Sequence, residues 1–173
     1  PYILRLMKQV SQIGWNGIVM HFRGCSGEEN RQLRSYHSGE TQDINFVIES
    51  LVNENPDIQL YLTGYSLGGN VIAKWLGEKG SEISPNIHGA CVCSVPYDLH
   101  ESQKFIDQGF SRIYVYRFLR TLKRKALEKS ERFPQSFEVE RMLQSTTFEE
   151  FDDAFTAIVH GFTDYFDYYS RSS

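Results

Sequence analysis

The stretch that decides the fold is "YLTGYSLGGN", residues 61–70, in which one serine stands between two glycines. The apolar run "IQLYLTG" before it predicts a buried strand, and "NVIAKWLGEKG" after it has the apolar spacing of a helix. Gly64-Tyr65-Ser66-Leu67-Gly68 therefore fits the pattern G-x-S-x-G at a strand-to-helix junction. In that context the pattern predicts a nucleophile elbow, a tight turn that lifts the hydroxyl of Ser66 out of the sheet.

An elbow of this kind has parts that acyl transfer needs. We expect Ser66 to have φ > 0, the strand to end near residue 63 or 64, and the helix to begin between residues 67 and 70. The helix N-terminus and the backbone amide of Leu67 would then face a developing oxyanion. Glycine is expected at 64 and 68 because side chains there would collide with the neighbouring strand and helix. A glycine-rich turn used for packing or phosphate binding is the alternative, but "GYSLGG" lacks both G-x-G-x-x-G and the Walker lysine spacing.

Composition narrows the class of protein. With 173 residues, 40% of them apolar and 23% charged, the chain is typical of one soluble globular domain with an appendage. A net charge of −4 gives no overall positive field for nucleic acid or an anionic membrane, so we expect a small-molecule partner and no nucleic acid.

Cys25, Cys91 and Cys93 cannot all pair, which favours free thiols in a reducing cytoplasm. No apolar run approaches the roughly 18 residues of a membrane span, and nothing reads as a targeting signal.

Helical and strand patterns alternate along the first hundred residues. Helical spacing covers residues 1–13 and then a segment that Thr41 would cap and Pro56 would end, while apolar runs predict strands at 17–22, 58–64 and 88–95. This alternation predicts a parallel sheet. From about Leu99 onward the spacing is helical only. We therefore predict an α/β core over residues 1–99 and a helical cap over residues 100–173.

Six segments together resemble the YheT-like branch of the α/β-hydrolases, also called the AB hydrolase-4 family: "HFRGCSGEENRQLRSYHSGETQDI", "GYSLGGNVIAKWLGE", "SVPYDL", "GFSRIY", "FDDAFTAIVHGF" and "DYYSRSS". The resemblance runs nearly end to end. It implies an α/β-hydrolase core with a partial parallel sheet and a helical cap. It also implies a serine nucleophile at Ser66 and hydrolysis of carboxylic esters by Ser, Asp and His.

The same resemblance bears on the rest of the site. In such folds the acid and then the histidine follow the serine along the chain, and a loop before the first helix gives a second oxyanion amide. The resemblance thus places the acid and the histidine after residue 173 and the second amide before residue 1. We expect the chain to be an internal fragment that is inactive by itself.

Local residues offer an alternative acid and base. Asp98 follows the third predicted strand, where some α/β-hydrolases carry their acid, and His160 is the last histidine of the chain. Asp98 fits a helix cap better, and His160 fits a packed or exposed position on a cap helix. His21 and His37 precede the serine, which disfavours them in a triad. Cys25 has no evident histidine partner, so we do not assign it as a nucleophile.

Two further clusters have a plain and a functional interpretation. The basic face of the long cap helix could contact a polyanion, although such a face is more often only solvated; it comprises Arg117, Arg120, Lys123, Arg124 and Lys125. The aromatic residues near residue 173 pack a core more often than they line a pocket; they are Tyr165, Phe166, Tyr168 and Tyr169.

Two functions remain open on the sequence. The favoured one is a cytoplasmic serine esterase that acts on a small-molecule carboxylic ester and needs no cofactor and no metal. The alternative is a non-catalytic hydrolase-like module whose pocket binds an acyl or apolar ligand. The sequence predicts neither acyl length nor oligomeric state.

Overall fold

The structure is a computed structural model that describes residues 2–173, so Pro1, with which we expect the first helix to begin, lies outside the described residues. Among the described residues before Leu99 there are three α-helices and two strands. In chain order these are α1 (Tyr2–Gln12), α2 (Gln42–Glu54), β1 (Leu60–Tyr65), α3 (Leu67–Lys79) and β2 (Ile87–Cys93). A short 3₁₀ turn, Gly80–Glu82, follows α3. Residues 13–41 form an irregular segment between α1 and α2.

β1 and β2 pair in parallel, and α3 is the crossover helix between them. The register sets Gly64 opposite Val92 and Tyr65 opposite Cys93, so both strands end at the same edge. Apolar residues of α2 and α3 form the core against this pair; the buried ones are Ile44, Ile48, Val71, Ile72 and Trp75. The parallel β-α-β unit that the alternation predicts is therefore present.

The predicted strand at 17–22 is wrong for the residues that the structure describes. These residues have no strand conformation and no ladder partner, and β1 pairs only with β2. A strand is stable only when a neighbour satisfies its backbone groups, which an apolar run by itself does not supply. Met20 and Phe22 pack against the core of α2 and α3, while Ile18 is 63% exposed.

Thr41 precedes α2 as predicted but does not cap it through its side chain. Its hydroxyl donates to Glu78 of α3, with an oxygen–oxygen distance of 2.6 Å. The carboxylate of Glu40 accepts the backbone N–H of Gln42 instead, at 3.0 Å. The residue before Thr41 thus satisfies one of the first donors of the helix.

Residues 99–173 contain helices and no strand among the residues described, which confirms the predicted helical character. The elements are α4 (Leu99–Ile106), α5 (Arg112–Arg132), α6 (Val139–Gln144), α7 (Phe148–Phe151), α8 (Ala157–His160) and α9 (Tyr165–Ser172), with a 3₁₀ turn at Gly109–Ser111 and a π-helical turn at Asp152–Thr156. This region has its own apolar core, in which Leu119, Met142 and Phe155 are buried. None of the described helices is long and apolar enough to cross a membrane.

Buried hydrogen bonds join the helical region to α3, the helix that follows Ser66. Asn70 of α3 is 2% exposed, and its Nδ2 donates to the carbonyls of Ser38, at 3.1 Å, and Ser172, at 2.6 Å. The backbone N–H of Ser38 donates to the hydroxyl of Tyr168 at 3.0 Å. The start of α3 is therefore fixed to α9 and to the loop before α2.

Candidate active site

Ser66 occupies the junction between β1, which ends at Tyr65, and α3, which begins at Leu67. Its φ is +52° and its ψ is −124°, a region that residues other than glycine rarely adopt. The backbone N–H of Ser66 donates to the carbonyl of Cys93 at 2.8 Å, and its own carbonyl accepts the N–H of Asn70. The predicted positive φ is confirmed, and the strand ends one residue later than predicted.

The glycines around Ser66 have unequal roles. A Cβ on Gly64 would lie 2.5 Å from the carbonyl oxygen of Gly68, so a side chain there is excluded as predicted. A Cβ on Gly68 would meet only Phe22, at 3.9 Å, and the predicted collision at this position is wrong. The crowded neighbour is Gly69, where a Cβ would lie 2.6 Å from Val95. The sequence contained a signal for this crowded position, because Gly69 is the second glycine of the "GG" pair at residues 68 and 69.

Ser66 lies on the wall of a cavity of about 710 Å³ between the core and the helical region. Leu67 also lines it, and as the first residue of α3 it has a backbone N–H that the helix does not use. Apolar side chains of the helical region also line it, among them Ile106, Phe118, Leu122 and Phe155. A cavity of this size and lining suits a ligand with a hydrocarbon part.

The predicted aromatic cluster serves both interpretations. Tyr168 and Tyr169 are buried in a small core with Leu99, and Tyr168 also lines the cavity. Phe166 is 59% exposed and contacts the ring of His100. One of the four aromatic residues therefore faces the cavity that contains Ser66.

Asp98 and His160 have other partners. Asp98 is the N-cap of α4, where its side chain accepts the N–H of Glu101 at 2.9 Å. The ring of His160 lies against that of His37, with centroids 4.4 Å apart. Within residues 2–173, neither Asp98 nor His160 is among the residues that line the cavity with Ser66. Their assignment as acid and base stays a prediction that no contact supports.

His37, Glu40 and His160 bring metal-ligand atoms within 4.8 Å of one another. Glu40 is already engaged, because Arg34 donates to both of its oxygens, at 3.0 and 2.5 Å. His37 accepts the N–H of Gly39 on its Nδ1 at 3.1 Å. No hydrogen bond joins the three described groups to one another: the Nε2 of His37 lies 3.8 Å from an oxygen of Glu40, and the buried Nε2 of His160 has no hydrogen-bond partner among residues 2–173. A metal ion would have to displace Arg34 from the carboxylate.

The two imidazoles of this cluster are held neutral. Burial, followed by the charges of His160, Arg34 and Lys74, lowers the pKa of His37 to about 3. Burial, followed by Arg34 and Lys129, lowers the pKa of His160 to about 4. Since the folded state prefers the neutral rings, their contribution to stability is complete above the unfolded pKa of about 6.5 and is lost as pH falls below it.

We expect His160→Phe to flatten the pH dependence of stability. Between pH 7 and pH 5 the wild type should lose about 1 to 2 kcal/mol more unfolding free energy than the variant, because Phe cannot take up a proton. Urea titrations at the two pH values measure this difference. Comparison with the variant also cancels the opposite effect of Asp152, whose pKa burial raises to about 6.

His21→Asn is the matched control for that experiment, because His21 is exposed and lies outside the cluster. It should keep the wild-type pH dependence. Equal pH dependence in wild type and His160→Phe would contradict a buried neutral imidazole at residue 160.

All three cysteines are free, as predicted. Cys25 is exposed, and its sulfur lies 3.2 Å from the Nζ of Lys125. Lys125 also donates to the carbonyl of Gly24 at 2.8 Å, and Lys123 donates to the carbonyls of Leu143 and Ser145. Two members of the predicted basic face therefore bind main-chain oxygens and are not purely solvated.

Comparison with known proteins finds relatives whose sequences align with nearly the whole of this chain. The chain is 38% identical over 175 residues to "Putative esterase YheT" of Escherichia coli, an alignment that covers 100% of this chain and 51% of that protein. It is 24% identical to "Phospholipase ABHD3" of Homo sapiens, over 99% of this chain and 42% of that protein. It is 25% identical to "Monoacylglycerol lipase" of Saccharomyces cerevisiae, over 99% of this chain and 40% of that protein.

The chain thus spans between two fifths and about half the length of these three relatives. No protein-family model matches it. No solved structure matches it either.

Proposed function

Similarity along its whole length places this chain in the YheT-like (AB hydrolase-4) family of α/β-hydrolases, and from that premise we propose that it carries the nucleophile of a serine esterase. The observation that carries the proposal is the backbone of Ser66. A non-glycine residue at φ +52° between a parallel strand and a helix is strained, and such strain is retained where it positions a reacting group.

In the proposed reaction the Oγ of Ser66 attacks the carbonyl carbon of an ester. The N–H of Leu67 donates a hydrogen bond to the oxygen that becomes negative. The alcohol leaves with a proton, and an acyl-serine remains until water cleaves it and restores the hydroxyl. A histidine paired with an acid would carry the proton, and from the order of the triad in such folds we expect both to follow the helical region along the chain.

The substrate that we propose is a carboxylic ester with an apolar part. The cap side of the cavity supports this, because Ile106, Phe118 and Phe155 offer hydrocarbon walls. The relatives named a phospholipase and a monoacylglycerol lipase are named for lipid substrates, which agrees with such walls. We propose the cytoplasm as the compartment on the basis of the three free thiols.

A fluorophosphonate probe tests the nucleophile directly in the full-length protein that contains this chain. We expect covalent modification at Ser66 and its loss in Ser66→Ala, with peptide mass spectrometry as the measurement. Ser94→Ala is a matched control, because Ser94 also has a positive φ, +53°, and follows β2. It should label as the wild type does.

Labelling that persists in Ser66→Ala would refute the assignment. If the wild type is not labelled but binds an apolar ligand, a non-catalytic binding module becomes the better interpretation of the cavity.

A further inference from the structure

Lys129 of α5 is a buried ammonium on the wall of the cavity that Ser66 also lines. It is 8% exposed. Its Nζ donates to the carbonyl of Gln32 and lies 5.7 Å from the centre of the Phe133 ring. Within the described part of the chain, no carboxylate oxygen lies within the 4.0 Å of Nζ that an ion pair requires.

The charges nearest Lys129 do not neutralise it. Burial, followed by the positive charges of Arg132 and Arg23, lowers its pKa. Those two arginines have carboxylate partners of their own: Arg132 pairs with Glu29 at 2.7 Å, and Arg23 pairs with Asp43 at 2.5 Å. The two nearest cations, Arg132 and Arg23, thus have carboxylate partners, whereas Lys129 has none among the described residues.

Two more cations line the same cavity without a carboxylate partner among residues 2–173. Lys125, one turn before Lys129, donates to the carbonyl of Gly24 and to the sulfur of Cys25, and Arg124 is exposed at the rim. The glutamates that line the cavity are all exposed and so lie on its outer side; they are Glu28, Glu29, Glu128 and Glu131. The half-buried carboxylate of Asp152 also lines the cavity, where it accepts from the hydroxyls of Thr156 and Tyr169. Around Lys129 itself the charged neighbours are cationic.

A buried charge without a counter-ion is costly, so its retention on a cavity wall needs an explanation. An ammonium has three N–H donors, and among residues 2–173 the carbonyl of Gln32 is the one oxygen that accepts from Lys129. A negatively charged oxygen in the cavity would supply both the missing acceptor and the missing charge. Apolar cap residues on the same cavity provide room for a hydrocarbon chain beside it.

We propose that the cavity binds an anionic amphiphile, with a phosphate or carboxylate oxygen at Lys129 and Lys125 and a hydrocarbon chain against the cap helices. This rests on the proposed function in one respect, since the anion would then be part of the ester substrate. The binding itself does not require Ser66 to react.

Calorimetric titration of the full-length protein that contains this chain, with four probes, tests the proposal. The probes are octyl phosphate, octanoate, the uncharged octyl glucoside with the same chain length, and inorganic phosphate. We expect octyl phosphate and octanoate to bind about ten-fold or more tightly than octyl glucoside, because each forms a charge-assisted hydrogen bond in a buried setting. Inorganic phosphate should bind more weakly than octyl phosphate because it lacks the hydrocarbon chain.

Lys129→Met keeps the aliphatic volume and removes the charge. It should weaken octyl phosphate binding about ten-fold and leave octyl glucoside unchanged, while Lys129→Arg should retain the preference for the anion. Lys8→Met is the matched control, since Lys8 is exposed on α1 and does not line the cavity. If Lys129→Met does not fold, Lys125→Met should show the same loss of preference to a smaller degree.

Equal affinity of the wild type for octyl phosphate and octyl glucoside would overturn the proposal, and so would an unchanged preference in a folded Lys129→Met. Inorganic phosphate binding as tightly as octyl phosphate would also overturn it, since the site would then recognise a free anion. Ser66→Ala should bind all probes as the wild type does. Retained octyl phosphate binding without fluorophosphonate labelling at Ser66 would refute only the esterase, and labelling without anion preference would refute only the anion site.

Discussion

The 173-residue chain by itself is expected to hydrolyse a short p-nitrophenyl ester at least about 10³-fold more slowly than the full-length protein that contains it. The reason lies in the partners of the two local candidates. The carboxylate of Asp98 accepts a hydrogen bond from the N–H of Glu101, and the ring of His160 packs against the ring of His37. A serine hydroxyl without a base is a poor nucleophile, so binding and the Leu67 amide alone would account for residual activity.

The comparison uses both proteins at equal concentration, with Ser66→Ala in each. In the full-length protein Ser66→Ala should reduce the rate by several orders of magnitude, and in the isolated chain it should change little. Ser94→Ala should leave both rates unchanged. Robust turnover by the isolated chain that disappears in Ser66→Ala would contradict this expectation, and Asp98→Ala and His160→Phe would then be the next variants to test.

The elbow could be predicted because its constraints are local. A strand, a turn at positive φ and a helix are encoded within residues 58–80, and a Cβ on Gly64 would collide with Gly68 and Gly69, four and five positions away. The crowding of Gly69 by Val95 is a long-range contact, and it was not predicted. The helices of residues 99–173 were predictable for the same reason, since apolar spacing along α5 and α6 favours each helix without reference to distant residues.

The failed predictions depend on neighbours far along the chain. The run at 17–22 is as apolar as β2, but a strand also needs a hydrogen-bonded partner, which no local pattern specifies. Threonine is a residue type that commonly caps helices, yet the hydroxyl of Thr41 donates instead to Glu78, which lies 37 residues further along the chain. The contact of His37 with His160 and the approach of Lys129 to Gln32 span still larger separations. Periodicity does not reveal such pairs.

Gly64→Ala is expected to lower the unfolding free energy by about 3 kcal/mol or more. The added Cβ would lie 2.5 Å from the carbonyl oxygen of Gly68, and 2.7 Å from both the carbonyl carbon of Gly68 and the Cα of Gly69. All three are backbone atoms, so no rotamer change relieves the overlap. β1 and the first turn of α3 must move apart, which would also displace Ser66 from its position between them. For a domain of this size the melting temperature should fall by roughly 6–12 °C in circular dichroism.

Gly68→Ala is the matched control, because it makes the same change four residues on, where a Cβ meets only the Phe22 ring at 3.9 Å. It should leave stability unchanged or raise it by up to about 1 kcal/mol, since alanine is the better helix former. Gly69→Ala should lie between the two, because its closest contact is the Val95 side chain, at 2.6 Å, which can yield more than a backbone atom. If Gly64→Ala were as stable as Gly68→Ala, the junction of β1 and α3 would be free to relax. The positive φ of Ser66 would then no longer be imposed by the close approach of strand and helix.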